Sequence, residues 1–371
     1  MEKQFSFTSE ELEKQLKKCR ENGITELTVH DTVISRDKPR LLSFLKAVQR
    51  DAPDVFVSIK ILPSIIDMEV VRALCNIRCS IEMDFELTSR GFDKKLYAKK
   101  CALLNQAGLV FGVNLYYACP AVGSAGVAAG GVSSKNKTVF SGASAGNAGF
   151  ADSLKAFRER LDFTIAQYPN HIDFPQLEAE AGADGGNSAG ATQSKSSFDF
   201  SPVVSGTFSA QDIRFARDMA FACRTFYSAG RAVGWFNSVL AALRIQASAF
   251  FADFAEWQRV NNCDFKSGYI PEEEAHINIE KMQVLFLDMK LEEKHKGQLL
   301  SAVNDIVKLN GAFSRLVSEG EESTIETDYN PDDLLSPESM DIVSFANDVC
   351  MEHSTVQIFL NADGDPDYKI C

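Results

Sequence analysis

The sequence predicts an α/β protein, a partial parallel (β/α) barrel over residues 1–206 followed by an all-helical C-terminal domain. Three observations carry this prediction. Four strand-like stretches begin at positions 24, 55, 80 and 109 with helical patterns between them, a spacing close to the ~30 residues of one strand–helix unit. Strands that alternate with helices join a parallel sheet through crossovers. Each stretch is apolar on one side only, whereas a parallel sheet covered on both faces carries near-continuous apolar strands. A closed or partly closed barrel, helices outside and a polar ligand in the lumen, reconciles the two facts; an open doubly wound sheet is the alternative. Finally, from Ser209 onward large apolar residues recur at helical spacing.

The elements follow in order. Thr8 and Glu11 form a capping box for a helix ending at Gly23. In Ile24–Asp31, Leu27 and Val29 oppose Glu26, Thr28 and His30. Asp37, with Pro39 behind it, opens a helix carrying Leu41, Leu45 and Val48. In Val55–Leu62, Val57, Ile59 and Ile61 oppose Ser58 and Lys60. Asp67 caps the next helix. Ser80–Arg90 alternates most sharply, with Ile81, Met83, Phe85 and Leu87 against Glu82, Asp84 and Glu86. Asp93 opens a helix to Gly108; in Leu109–Tyr117, Val113 and Leu115 oppose Gly112, Asn114 and Tyr116. A helix over Asp152–Tyr168 leads to Asn170–Leu177, where Ile172 and Phe174 oppose His171 and Asp173. Helix caps recur just past strand ends, the edge of a barrel at which sites form.

Two stretches, about 121–149 and 179–197, are Gly-, Ala- and Ser-rich with few large residues, and are expected to be flexible insertions. Neither has the glycine spacing of a phosphate loop. Residues 207–318 read as the helical domain, its aromatics (Phe226, Trp235, Phe236, Phe250, Phe254, Trp257) as core and not as a cofactor box. Residues 319–371 read as an acidic linker, a terminal helix and a strand at Val356–Leu360. The ending NADGDPD lacks the sixth-position glycine and the twelfth-position glutamate of a calcium loop.

A net charge of −13 argues against nucleic-acid and anionic-membrane partners. Nine scattered cysteines, an odd number, several on apolar helical faces, point to a reducing cytoplasm. The first residues lack the basic-then-apolar pattern of a secretory signal, and no apolar run reaches the ~18 residues of a membrane span.

The stretch FTSEELEKQLKKCRENGITELTVHDTVISRDKPRLLSFLKAV resembles the part of a radical SAM barrel that follows the cluster-binding loop. CSIEMDFELTSR is similar to that family's fourth strand, VFGVNLYYACP to its fifth, and the stretch from Ser209 to Gln258 to the helical extension of radical SAM proteins that also carry a B12-binding domain. The resemblance implies S-adenosylmethionine as cofactor, its amino and carboxylate groups near His30 and Asp31, its ribose along the Glu82–Glu86 face that includes Asp84, and its adenine beside Asn114. Lys60 joins this lumenal set, facing Glu82. The family's [4Fe-4S] cluster needs three cysteines spaced CxxxCxxC, and the chain has none: Cys75 and Cys79 make CxxxC, but position 82 is Glu. The resemblance therefore implies a degenerate or truncated relative, binding S-adenosylmethionine or a related small polar ligand without radical chemistry of its own. No metal site is assigned. Two alternatives stand beside it: a barrel enzyme of another class, with Lys60 forming a Schiff base or Asp31, Glu82 and Asp84 holding Mg²⁺, and a non-catalytic protein that meets a protein partner through its helical domain.

Overall fold

The structure is a computed structural model, and it describes residues 8–88, 91–119, 151–177, 202–262, 265 and 268–371. The two Gly-rich stretches expected to be flexible lie outside the described residues. The chain divides into two compact units, Met1–Ala216 and Arg217–Cys371.

The first unit is a five-stranded parallel sheet flanked by helices. Its strands are β1 (Glu26–Val29), β2 (Phe56–Lys60), β3 (Cys79–Phe85), β4 (Val110–Leu115) and β5 (His171–Asp173), in the spatial order β1-β2-β3-β4-β5. This order has no reversal, so the doubly wound alternative, which needs a switch point, does not hold. Among the described residues β1 and β5 are free edges, and the sheet is open there, not closed into a barrel. The connecting helices are α1 (Ser9–Glu21), before β1, then α2 (Lys38–Asp51), α3 (Met68–Leu74), α4 (Lys94–Gln106) and α5 (Leu154–Ile165). Crossovers that all step the same way and share one hand place their helices on one face. The alternation of the strands has this origin: Val57, Ile59, Ile81, Met83, Phe111, Val113 and Ile172 are fully buried, and the intervening polar residues lie on the other face.

The helix starts are set by local chemistry. Thr8 and Glu11 cap each other's ends of the first turn of α1, and Asp37, Asp67 and Asp93 accept backbone N–H groups at the starts of α2, α3 and α4. Each cap satisfies donors that a helix start leaves orphaned, worth about 1 kcal/mol apiece. At α5, Arg160 makes a buried, two-pronged ion pair with Asp152 and donates to the Tyr116 carbonyl at 2.9 Å, clamping the end of β4 to that helix.

The second unit is helical around an aromatic core but not all-helical. Phe226 packs edge-on to Phe250, Phe254 and Phe286, and Phe236 stacks on Phe251. Beyond the helices, within residues 319–371, lies a three-stranded antiparallel sheet where one strand at Val356–Leu360 is expected: β6 (Ser323–Thr327), β7 (Ser354–Leu360) and β8 (Pro366–Ile370), with β7 central. Strand β6 lies inside the stretch expected to be an acidic linker, and NADGD, residues 361–365, forms the turn between β7 and β8. No single helix among the described residues is long and apolar enough to cross a membrane.

Candidate functional site on the polar face of the sheet

Register places the polar side chains in rows. One row runs Lys60, Glu82, Gly112, His171 across β2 to β5, and the next runs Asp84, Asn114, Asp173 across β3 to β5. The face stays partly open among the described residues, with side-chain exposures of 46% for Lys60, 24% for Glu82, 11% for Asp84 and 31% for His171.

Asp84 is a hub. Its carboxylate accepts from Lys60 Nζ at 2.7 Å, Asn114 Nδ2 at 3.0 Å and the Tyr116 hydroxyl at 3.2 Å. Lys60 thus bonds Asp84 and not Glu82, its partner in register. Burial, followed by the Asp84 charge, keeps the Tyr116 phenol strongly protonated.

Glu82 turns the other way. Its Oε1 lies 2.5 Å from His171 Nε2, and Asp173 Oδ2 is 3.6 Å from the same nitrogen. Its Oε2 is buried without a hydrogen-bond partner among the described residues, a lone pair able to accept from a hydroxyl or ammonium or to bind a cation. Burial works against a charge on His171, but the hydrogen bond to Glu82, then the charges of Glu82 and Asp173, outweigh it and hold the imidazole above its ordinary 6.5.

Of the sequence-predicted residues, the structure joins Lys60, Asp84 and Asn114 directly and sets Glu82 beside them. His30 is exposed, one residue past edge strand β1. Asp31 is 4% exposed, and its Oδ1 accepts from the backbone of Val33 and Ile34, fixing the turn that leaves β1. The carboxylate trio Asp31, Glu82 and Asp84 does not assemble as a cation site; the one such cluster among the described residues is Glu82, His171 and Asp173. Sequence reasoning put His171 and Asp173 on the polar side of their strand but gave them no role, because their partner Glu82 lies 89 positions away from His171.

Among the described residues the cysteines do not come together as a three-thiolate set. Cys75 is exposed at the end of α3, and Cys79 begins β3 with its thiol pushed up to about 11 by burial. Cys101, pushed up to about 12 by burial, is a core side chain.

The fold and site define an α/β protein with a singly wound parallel sheet and a carboxylate-rich polar face. No protein-family profile matches the chain, and no curated relative matches it. Among solved structures it is similar to the radical S-adenosylmethionine methyltransferase TsrM from Kitasatospora setae, in one structure with tryptophan substrate and the analogue aza-SAM, in another with cobalamin and a [4Fe-4S] cluster. Each likeness has a TM-score of 0.33 and 12% identity, over 45% of this chain and 30% of the other, so the chain spans less than a third of that enzyme's length.

Proposed function

We propose that the polar face of the β1–β5 sheet binds a small polar ligand of the S-adenosylmethionine class, through hydrogen bonds and charge and without radical chemistry. The observation that carries this reading is the pair of registered rows: carboxylates at positions 82, 84 and 173 and the Asn114 amide share one half-open face of a parallel sheet, a surface that such sheets otherwise bury. Carboxylates suit a ligand rich in donors, such as an ammonium group and ribose hydroxyls. The sequence resemblance supplies the ligand class. The Schiff-base alternative is less well supported, because Lys60 is nearly half exposed and paired with Asp84, the reverse of the desolvated lysine that such chemistry uses.

The test is calorimetry or ligand-observed NMR with S-adenosylmethionine and S-adenosylhomocysteine. Without an iron chelate, affinity should lie in the high micromolar to millimolar range, about −4 to −6 kcal/mol. Glu82→Gln and Asp84→Asn should each weaken it. Absence of binding at millimolar ligand, or binding indifferent to both substitutions, would remove the proposal.

A further inference from the structure

The polar face carries a cluster in which His171 joins two of the carboxylates of the ligand reading, Glu82 and Asp173. Glu82 on β3 and His171 and Asp173 on β5 bring one ligand atom each to within 4.8 Å of the others. Strands β3 and β5 are not neighbours. With β4 between them they stand about 9–10 Å apart, and the His171 ring crosses that gap over Gly112. A Cβ at position 112 would sit 2.0 Å from His171 Nε2, so the imidazole occupies the space that any other residue at 112 would fill. The glycine is thus the condition for His171 to meet Glu82 across an intervening strand. At the same place, Glu82 Oε2 is buried and accepts no hydrogen bond from the described residues.

We propose that Glu82, His171 and Asp173 form a binding site for a first-row divalent transition metal of the zinc class. One imidazole nitrogen with two carboxylates is a donor set that such ions take, and the nitrogen discriminates against Mg²⁺ and Ca²⁺, which prefer oxygen alone. Metal–ligand bonds of about 2.0–2.2 Å set neighbouring donor atoms roughly 3 Å apart around the ion. The separations of 2.5 and 3.6 Å from His171 Nε2 bracket that value, so small side-chain adjustments suffice to admit a cation. The unpaired Oε2 gives Glu82 the option of binding through both oxygens. Three protein ligands leave a coordination position open, on the face where Lys60, Asp84 and Asn114 lie. The cation site shares Glu82 and Asp173 with the proposed ligand site but does not rest on it.

The experiment is equilibrium dialysis and calorimetry of the full chain with Zn²⁺ alone, then with millimolar Mg²⁺ as competitor, and Co²⁺ as a spectroscopic substitute. The expected result is one Zn²⁺ per chain, not displaced by Mg²⁺, and visible absorption from bound Co²⁺. His171→Ala and Asp173→Asn should each lower Zn²⁺ affinity by at least about tenfold. Gly112→Ala should do the same with every donor still present, because it expels the ring; circular dichroism confirms that each variant is folded. His353→Ala is the control, an exposed histidine beside Glu326 and Asp328, and should change nothing. Failure to retain Zn²⁺, equal affinity in His171→Ala, or loss in His353→Ala overturns the site. Asp84→Asn should weaken S-adenosylmethionine and leave Zn²⁺ binding intact, so the failure of one proposal is separable from the failure of the other.

Discussion

At the residue scale the polar face is divided between two carboxylates on one strand. Asp84 is saturated by three donors, while Glu82 holds one imidazole and keeps an oxygen spare. The different environments of these neighbours follow from register, since Asn114 faces Asp84 whereas the side-chain-free Gly112 faces Glu82. The charge state of His171 is the measurable consequence. Its pKa is raised above 6.5 in the folded chain, so the ion pair contributes its full stability below the unfolded value and loses it as pH rises through the raised folded value. In metal-free protein, an NMR titration of the His171 ring should give a midpoint above 6.5, and Glu82→Gln should bring it down. A midpoint at or below 6.5, unmoved by the substitution, would contradict the geometry.

At the element scale, capping was written plainly in the sequence and the departures from regular structure were not. The helix Ala210–Cys223 runs into a wide, π-type turn at Arg224–Ala229, ending at Gly230. A wide turn leaves carbonyls without their usual donors, and here side chains meet them: Gln283 Nε2 donates to the carbonyls of Phe226 at 2.8 Å and Gly230 at 2.9 Å, and His276 Nε2 lies 3.3 Å from the Gly230 carbonyl oxygen. Gly230 is required by the approach of Gln283, because a Cβ there would lie 2.2 Å from Gln283 Nε2. Gln283 is 1% exposed, so water does not replace it. Gln283→Leu should therefore destabilise the unit by about 1–3 kcal/mol, the cost of an unsatisfied buried polar group, measured as a lower urea midpoint at unchanged slope. An unchanged midpoint would show that the turn does not depend on this side chain.

At the scale of the whole molecule, what was legible followed the strength of local pattern. Strands β1 to β5 were visible because Ile81, Met83 and their equivalents alternate with polar residues, and the polar face with Lys60, Asp84 and Asn114 came with them. The site remained half legible, because the pairing of Glu82 with His171 depends on β5, a strand of three residues, and on a glycine with no signal of its own. Strands β6 and β8 escaped because STIET and PDYKI carry too few apolar residues to mark a buried face. The aromatic stretch was assigned to core on spacing alone, and the structure makes that assignment testable. Phe226 is fully buried, with Trp235, Phe236, Phe250, Phe254 and Phe286 around its ring. Replacing it with alanine removes these contacts and leaves a cavity, at a cost of about 3–5 kcal/mol. Both tryptophans of the chain, Trp235 and Trp257, belong to the second unit, so fluorescence during urea unfolding reports on that unit specifically. Phe226→Ala should lower its midpoint strongly and Phe226→Leu by less, while Leu285→Ala, at a side chain 59% exposed in the same unit, should leave it nearly unchanged. If Phe226→Ala unfolded at the wild-type midpoint, the aromatic cluster would not be the core of this unit.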